Sequence, residues 1–279
     1  MKKLLLGIAA VCLAGFTFAQ DAPLWMRHSV ISPDGTTIAF TYKGDIYTVP
    51  VAGGRAMQIT TNPAYDTAPV WSPDSKRIAF ASDRMGSLDV YIVAKDGGEP
   101  RRLTTHSGSE TPLAFTDAGH VLFSAGIMPS AEAVVFPSNG QFNQVYRVSV
   151  EGGRPTMISS MPMECISINK EGAMLYQDKK GYEDYWRKHH VSPIARDIWM
   201  YTPGKEPQYR QLTTFGGEDR EPVWAPDGKT FYYLSEENGS FNIYRRTPGD
   251  AKAVQLTHYT KNPVRYLSAA TDGRLDRKS

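Results

Sequence analysis

A unit of about forty residues recurs along this chain, and a period of that size limits the fold more than any other feature. Its clearest copy runs from Ala68 to Thr105, APVWSPDSKRIAFASDRMGSLDVYIVAKDGGEPRRLTT. Val70-Trp71 stops at Ser72-Pro73-Asp74, where proline and an Asx side chain favour a turn. Arg77 to Ala81 puts Ile78 and Phe80 on one face, Val90 to Val93 ends at Asp96-Gly97-Gly98, and Arg101 to Thr104 forms a last short run. Apolar segments this short, bounded by Gly, Pro and Asp, read as strands rather than helices.

The turn acid returns at Asp34, Asp74, Asp117, Glu171, Asp227 and Asp272, at spacings of 40, 43, 54, 56 and 45 residues. A closing signature returns with it: Gln58-Ile59-Thr60, Arg102-Leu103-Thr104, Met157-Ile158-Ser159, Gln211-Leu212-Thr213 and Gln255-Leu256-Thr257. A glycine turn precedes each, at Gly53-Gly54, Gly97-Gly98, Gly152-Gly153, Gly204 and Gly249. One such sheet cannot bury both its faces, so neighbouring sheets must stack. The pattern predicts an all-β fold, a β-propeller of four-stranded antiparallel blades, with five blades and the start of a sixth in an incomplete ring. An irregular sandwich would not keep turn and strand in register.

The expected blades cover about 26–61, 68–105, 111–159, 165–214 and 222–257, with a partial sixth at 263–279. Leu275-Asp276-Arg277-Lys278-Ser279 does not read as a second strand of that sixth blade. Ahead of the propeller domain, 20–279, residues 1–19 read as a signal peptide: Lys2-Lys3, an apolar run from Leu4 to Phe16, then Thr17-Phe18-Ala19 before Gln20. That apolar run is too short to span a bilayer, and no other run in the chain is a span. A lipoprotein would use Cys12, but Val11 ahead of it fits poorly. An exported, periplasmic chain is expected. The formal charge of +2 falls to zero without Lys2 and Lys3, which gives no footing for a nucleic-acid partner. Cys165, the only cysteine left after cleavage, reads as a buried, inert side chain.

Two insertions break the period, Gly126 to Asn143 in blade three and Gly181 to Trp199 in blade four. The second, GYEDYWRKHHVSPIARDIW, gathers Tyr182, Tyr185, Trp186, Arg187, Lys188, His189, His190 and Arg196. Ring faces and fixed cations on one long loop suit contact with a peptide or protein carrying carboxylates. The alternative is a loop folded onto the propeller, with Arg196 paired to Asp197 and Trp186 packed inward. Adjacent histidines on an extended chain point opposite ways, and no HExxH or CxxC accompanies them, so no metal and no cofactor is expected. There is no GxSxG elbow and no phosphate loop. The turn acids lack a D-x-D ladder and read as turn caps rather than calcium ligands. Asn238-Gly239-Ser240 matches a glycosylation sequon by chance and reads as a turn.

At these residues the chain resembles a known family. The SPDG turn, the D-x-Y strand and the GG-x-x-x-x-L-T close are similar to the WD-repeat-like blades shared by TolB-type and tricorn-type propellers. The GYEDYWRKHHVSPIARDIW insertion more specifically resembles a loop of the N-terminal propeller of tricorn-like proteases, and the likeness runs from about Ala22 to Gly273. It implies a large exported serine peptidase whose propellers dock and sieve peptides for a separate protease domain. On that resemblance the chain is truncated before the catalytic domain and none of its residues is catalytic. Its partners would be peptides or a protein substrate, the rest of the parent protease, and possible further copies of itself. The competing expectation is a free-standing TolB-like propeller that binds a partner protein, although TolB-type proteins carry an α/β domain ahead of the blades. A glycan-processing propeller would need histidines or paired carboxylates converging on one channel.

Overall fold

The computed structural model describes residues 25–126, 143–181 and 191–278, and every regular element in them is a β-strand. Blade one comprises β1 (Arg27–Ile31), β2 (Thr37–Tyr42), β3 (Asp45–Pro50) and β4 (Met57–Gln58). Blade two is β5 (Asp66–Trp71), β6 (Arg77–Ser82), β7 (Asp89–Ala94) and β8 (Arg101–Arg102). Blade three is β9 (Glu110–Asp117), β10 (His120–Ala125), β11 (Gln144–Ser149) and β12 (Thr156–Ser159). Blade four is β13 (Met163–Ile168), β14 (Met174–Asp178), β15 (Ile198–Thr202) and β16 (Gln208–Gln211). Blade five is β17 (Asp219–Trp224), β18 (Phe231–Ser235), β19 (Asn242–Arg246) and β20 (Val254–Gln255). Each is an antiparallel meander in chain order.

The repeated residues do the same work in each blade. Asp34 Oδ1 accepts from Thr36 N at 3.0 Å, Asp74 Oδ1 from Lys76 N at 3.2 Å, Asp227 Oδ1 from Lys229 N at 2.8 Å and Asp272 Oδ1 from Arg274 N at 3.0 Å. These acids cap turns, as an Asx side chain does. In blade four Glu171 occupies the repeat position, but Asn169 Oδ1 takes the turn amide, from Ala173 N at 2.9 Å. The closing threonine has a job the sequence does not announce. Its hydroxyl accepts from an amide at the start of strand three: Ile46 N to Thr60 at 3.0 Å, and Val90 N to Thr104, Ile198 N to Thr213 and Ile243 N to Thr257 at 2.9 Å each.

Alternation along strands two and three decides which neighbour each side chain meets. Phe80 stacks on Tyr91 at 6.0 Å and Phe123 on Tyr146 at 5.7 Å, and each pair packs on the preceding blade. Five buried apolar clusters join blade one to two, two to three, three to four, four to five and five to six.

The sixth sheet is partial, but it holds two strands rather than the single one expected: β21 (Arg265–Ala269) pairs with β22 (Leu275–Lys278). Leu275 to Lys278 looked too polar for a strand because Asp276 alternates inward; burial raises its carboxyl pKa and Ser29 lies against it. The free edge is therefore on β22 and not near Tyr266. The first strands of all six sheets touch in succession, β1 to β5, β9, β13, β17 and β21, and β21 meets β1 again. Ser268 Oγ accepts from Ile31 N at 3.0 Å and Pro33 O from Thr271 N at 2.8 Å across that last junction. The ring is closed around its axis and incomplete at its rim.

Candidate functional site

In each complete blade the link between strands two and three opens on the face where the next blade's first strand begins. The described ends of both long links, residues 126 and 143 in blade three and 179–181 and 191–197 in blade four, lie on that face in adjacent blades. Tyr182, Trp186, Arg187, Lys188, His189 and His190 lie outside the described residues. Ile198 and Trp199, placed in the insertion by the sequence, begin β15 instead, and the Trp199 indole donates to Asp178 Oδ2 at 3.1 Å.

The return arm of the loop is anchored on blade five. Ser192 N donates to Gly216 O at 3.1 Å, and Asp219 N to Arg196 O at 3.0 Å. A Cβ on Gly216 would stand 2.9 Å from Val191 Cγ1, so a side chain there would have to push Val191 aside.

Arg196, the one described member of the candidate set, does not pair with Asp197. Its Nε meets Glu164 Oε2 at 3.3 Å and its Nη1 meets Glu218 Oε1 at 3.4 Å. Glu218, fully buried, also takes Arg220 Nε at 2.5 Å, and Glu164 takes Lys179 at 3.4 Å and the Gln177 amide at 3.0 Å. Burial would raise the Glu164 carboxyl, but Arg196 and the Gln177 hydrogen bond hold it below its ordinary value. Asp197 pairs with Lys180, whose ammonium also donates to Ala195 O at 2.7 Å. In place of the Arg196–Asp197 pair of the packed-loop alternative stand two separate pairings, because consecutive residues at a strand entry point to opposite sides. Arg196 ties blade four to blade five.

Inside the face, the first strands ring a central channel. Each strand, blade three's excepted, carries a bulge whose residue has a positive φ without being glycine: His28, Ala68, Cys165, Glu221 and Tyr266, with φ between 50° and 56°. Recurrent left-handed, non-glycine residues at one level mark a place where backbone strain is held by the surroundings. The His28 and Tyr266 rings meet at 5.3 Å, and Glu221 Oε2 accepts from Leu267 N at 2.7 Å. Cys165, expected to be buried, is exposed. Yet enclosure by the protein, with Glu221 and Glu164 nearby, pushes its thiol pKa up. A side chain that is reachable by solvent and still desolvated lines a channel, and its raised pKa makes it a poor nucleophile.

One set of residues escaped the sequence reading. Where blades meet on this face, the acid opening strand three faces the acid opening the next blade: Asp45 with Asp66, Asp89 with Glu110, and Asp197 with Asp219. Arg84 Nη2 spans Asp66 at 3.1 and 3.0 Å. Burial pushes Glu110 up to about 7 and Asp219 up to about 7. The signal was present as a fixed spacing from the closing threonine, in Thr60–Asp66, Thr104–Glu110 and Thr213–Asp219. Among the described residues no group of three or more His, Cys, Asp or Glu is placed to hold a metal ion.

Sheet order, closed inner ring and channel together define a β-propeller of five full blades and a partial sixth. Residues 23–274 match the tricorn protease N-terminal beta propeller domain. The chain belongs to that family. It is 25% identical over 254 residues to "Tricorn protease homolog 1" of Streptomyces coelicolor, covering 90% of this chain and 22% of that protein. It is 30% identical over 231 residues to an uncharacterized peptidase of Bacillus subtilis, covering 82% of this chain and 31% of the peptidase. The chain thus spans between about a fifth and a third of the curated relatives it matches. The crystal structure of the tricorn protease superposes with a TM-score of 0.72 at 20% identity, over 92% of this chain and 24% of that one. A putative TolB from Agrobacterium tumefaciens superposes at 0.67 and 14% identity, over 90% and 88%. These two likenesses carry the fold alone.

Proposed function

We propose that this chain is the docking and gating propeller of a larger exported peptidase, and that peptide is held on the face bearing the two long loops while cleavage occurs elsewhere in that protein. The observation that carries the reading is convergence: the described ends of the insertion, with Lys179 and Lys180 before it and Arg196 on its return arm, lie on the face where strands two and three are joined, in a chain of the tricorn propeller family whose insertion also carries Arg187 and Lys188 in sequence. Arg196, Lys179 and Lys180 already have carboxylate partners, so a peptide's carboxylates fall to Arg187 and Lys188, with Tyr182, Trp186, His189 and His190 as neighbouring contacts. Export rests on the Lys2-Lys3 start, the apolar run and Thr17-Phe18-Ala19. A second reading, a partner-binding TolB-like scaffold, draws support from a putative TolB structure of which this fold covers 88%.

The test is fluorescence anisotropy with an unstructured acidic peptide, on the native chain and on Arg187→Ala and Lys188→Ala. A charge-assisted hydrogen bond is worth about 1.5–3 kcal/mol, so each substitution should weaken binding roughly ten-fold or more. Equal affinity at matched stability would remove the loop from the site. Binding of a folded protein partner with no affinity for peptide would favour the TolB-like reading.

A further inference from the structure

Four junctions join one complete blade to the next, and three of them share a set of ties that the fourth replaces. On the loop face, the residue opening strand three and the residue opening the next blade are both acids between blades one and two (Asp45, Asp66), two and three (Asp89, Glu110) and four and five (Asp197, Asp219). Between blades three and four the same places hold Gln144 and Met163. The closing threonine of the other blades, Thr60, Thr104 and Thr213, is Ser159 there. Its hydroxyl accepts from Met161 N at 3.0 Å and meets the Tyr209 hydroxyl of blade four at 3.2 Å. The backbone departs at the same junction. β2 and β3 both run against β5, β6 and β7 against β9, and β14 and β15 against β17, whereas of blade three β9 alone runs against β13. Leu122 of β10 and Val145 of β11 reach blade four through their side chains, and they meet a soft filling of Met163 and Met174 beside Tyr176 and Tyr201. Methionine is unbranched and turns about three bonds, so it keeps contact while the walls around it shift.

We infer that the propeller opens at the seam between blades three and four. Each blade is held by its two neighbours, so a junction with fewer ties parts at a lower cost than unfolding the ring. β9 and β13 stay together as the pivot, and the outer strands of the two blades separate. The latch is the contact of Ser159 with Tyr209, a ring that is 41% exposed. On the loop face the seam lies between the described ends of the two long links, residues 126 and 143 in blade three and 179–181 and 191–197 in blade four. Opening changes the spacing of those ends. The inference stands on the seam alone and not on what the loop face binds.

Ile46, Val90, Val145 and Ile198 hold one equivalent position in the four junctions, and each is 0% exposed, which makes them matched probes. Each is replaced in turn by cysteine in a Cys12→Ser, Cys165→Ser background and labelled with a maleimide in native buffer. Val145→Cys should label at least ten-fold faster than Ile46→Cys, Val90→Cys and Ile198→Cys, and faster than the chain unfolds in urea-jump kinetics. Adding Tyr209→Phe should speed labelling of Val145→Cys further and leave Val90→Cys unchanged. Equal rates at the four junctions, or labelling of Val145→Cys only at the unfolding rate, overturn the inference, and a Val145→Cys rate unmoved by Tyr209→Phe overturns the latch. Where a cysteine variant fails to fold, the native chain answers: buried Met163 and Met174 should be oxidised by hydrogen peroxide at least ten-fold faster than the chain unfolds. Oxidation of both only at the unfolding rate overturns the inference. None of these readouts uses a substrate peptide, so loss of the docking reading for the loop face leaves them standing.

Discussion

Glu110, buried at the junction of blades two and three, should make the stability of the chain depend on pH. Its side chain is fully buried, its amide donates to Leu88 O at 2.7 Å beside Asp89, and its carboxyl lies against the side chains of Thr104 and Asp89. Asp89 beside it pairs with Arg102 Nη2 at 2.9 Å. His106 Nδ1, 3.6 Å from Glu110, already accepts from Gly108 N at 3.0 Å and does not donate to the carboxyl. Two carboxylates against one guanidinium leave one negative charge in excess, and a proton on Glu110 removes it. Burial, and then the Asp89 charge, push Glu110 up to about 7 from an ordinary value near 4.3. A difference of that size corresponds to about 3 kcal/mol between the two protonation states. The folded chain binds more protons here than the unfolded one, so this stability is complete below the unfolded pKa and is lost as pH rises through about 7. Urea unfolding should therefore give a more stable protein at pH 5 than at pH 8. Glu110→Gln keeps the shape without the charge. It should flatten that dependence and raise stability at pH 8 by up to about 3 kcal/mol, roughly 6–12 °C in Tm for a domain this size. A native chain equally stable at both pH values, or a Gln variant with the native slope, would refute the reasoning.

Three further outcomes are expected. Arg196→Ala strips a cation from Glu164 and from fully buried Glu218, and should lower unfolding free energy by roughly 3 kcal/mol, read by urea denaturation. Thr213→Val leaves the buried Ile198 amide without its acceptor and should cost about 1–3 kcal/mol by thermal melting, with Thr213→Ser recovering most of it. Mass spectrometry of exported protein should find Gln20 at the N-terminus, and an intact Met1 on that form would remove the signal-peptide reading.

The repeat made the blades legible because most blades solve the same problem with the same residues: Asp at the turn, an aromatic on strand two, Tyr on strand three, Thr at the close. What it concealed lies between blades. The acid pairs join residues of neighbouring repeats, so no single repeat displays them, although Thr104 to Glu110 and Thr213 to Asp219 share a spacing. Arg196 looked like a loop cation because its partners, Glu164 and Glu218, come from two other strands. The second strand of blade six was missed because an inner hairpin that buries Asp276 lacks the apolar alternation by which strands are recognised. Cys165 looked like a core residue because a bulge, which sequence does not show, sets it on the channel wall.

The most direct measurement is photo-crosslinking of an acidic peptide carrying a diazirine, followed by mass spectrometry of the adducts. Docking on the loop face requires adducts within 126–143 and 179–197 and at the channel mouth, suppressed by unlabelled peptide. Adducts concentrated at the opposite turns, around Asp34, Asp74 and Asp227, would place the peptide on the other face and contradict the account.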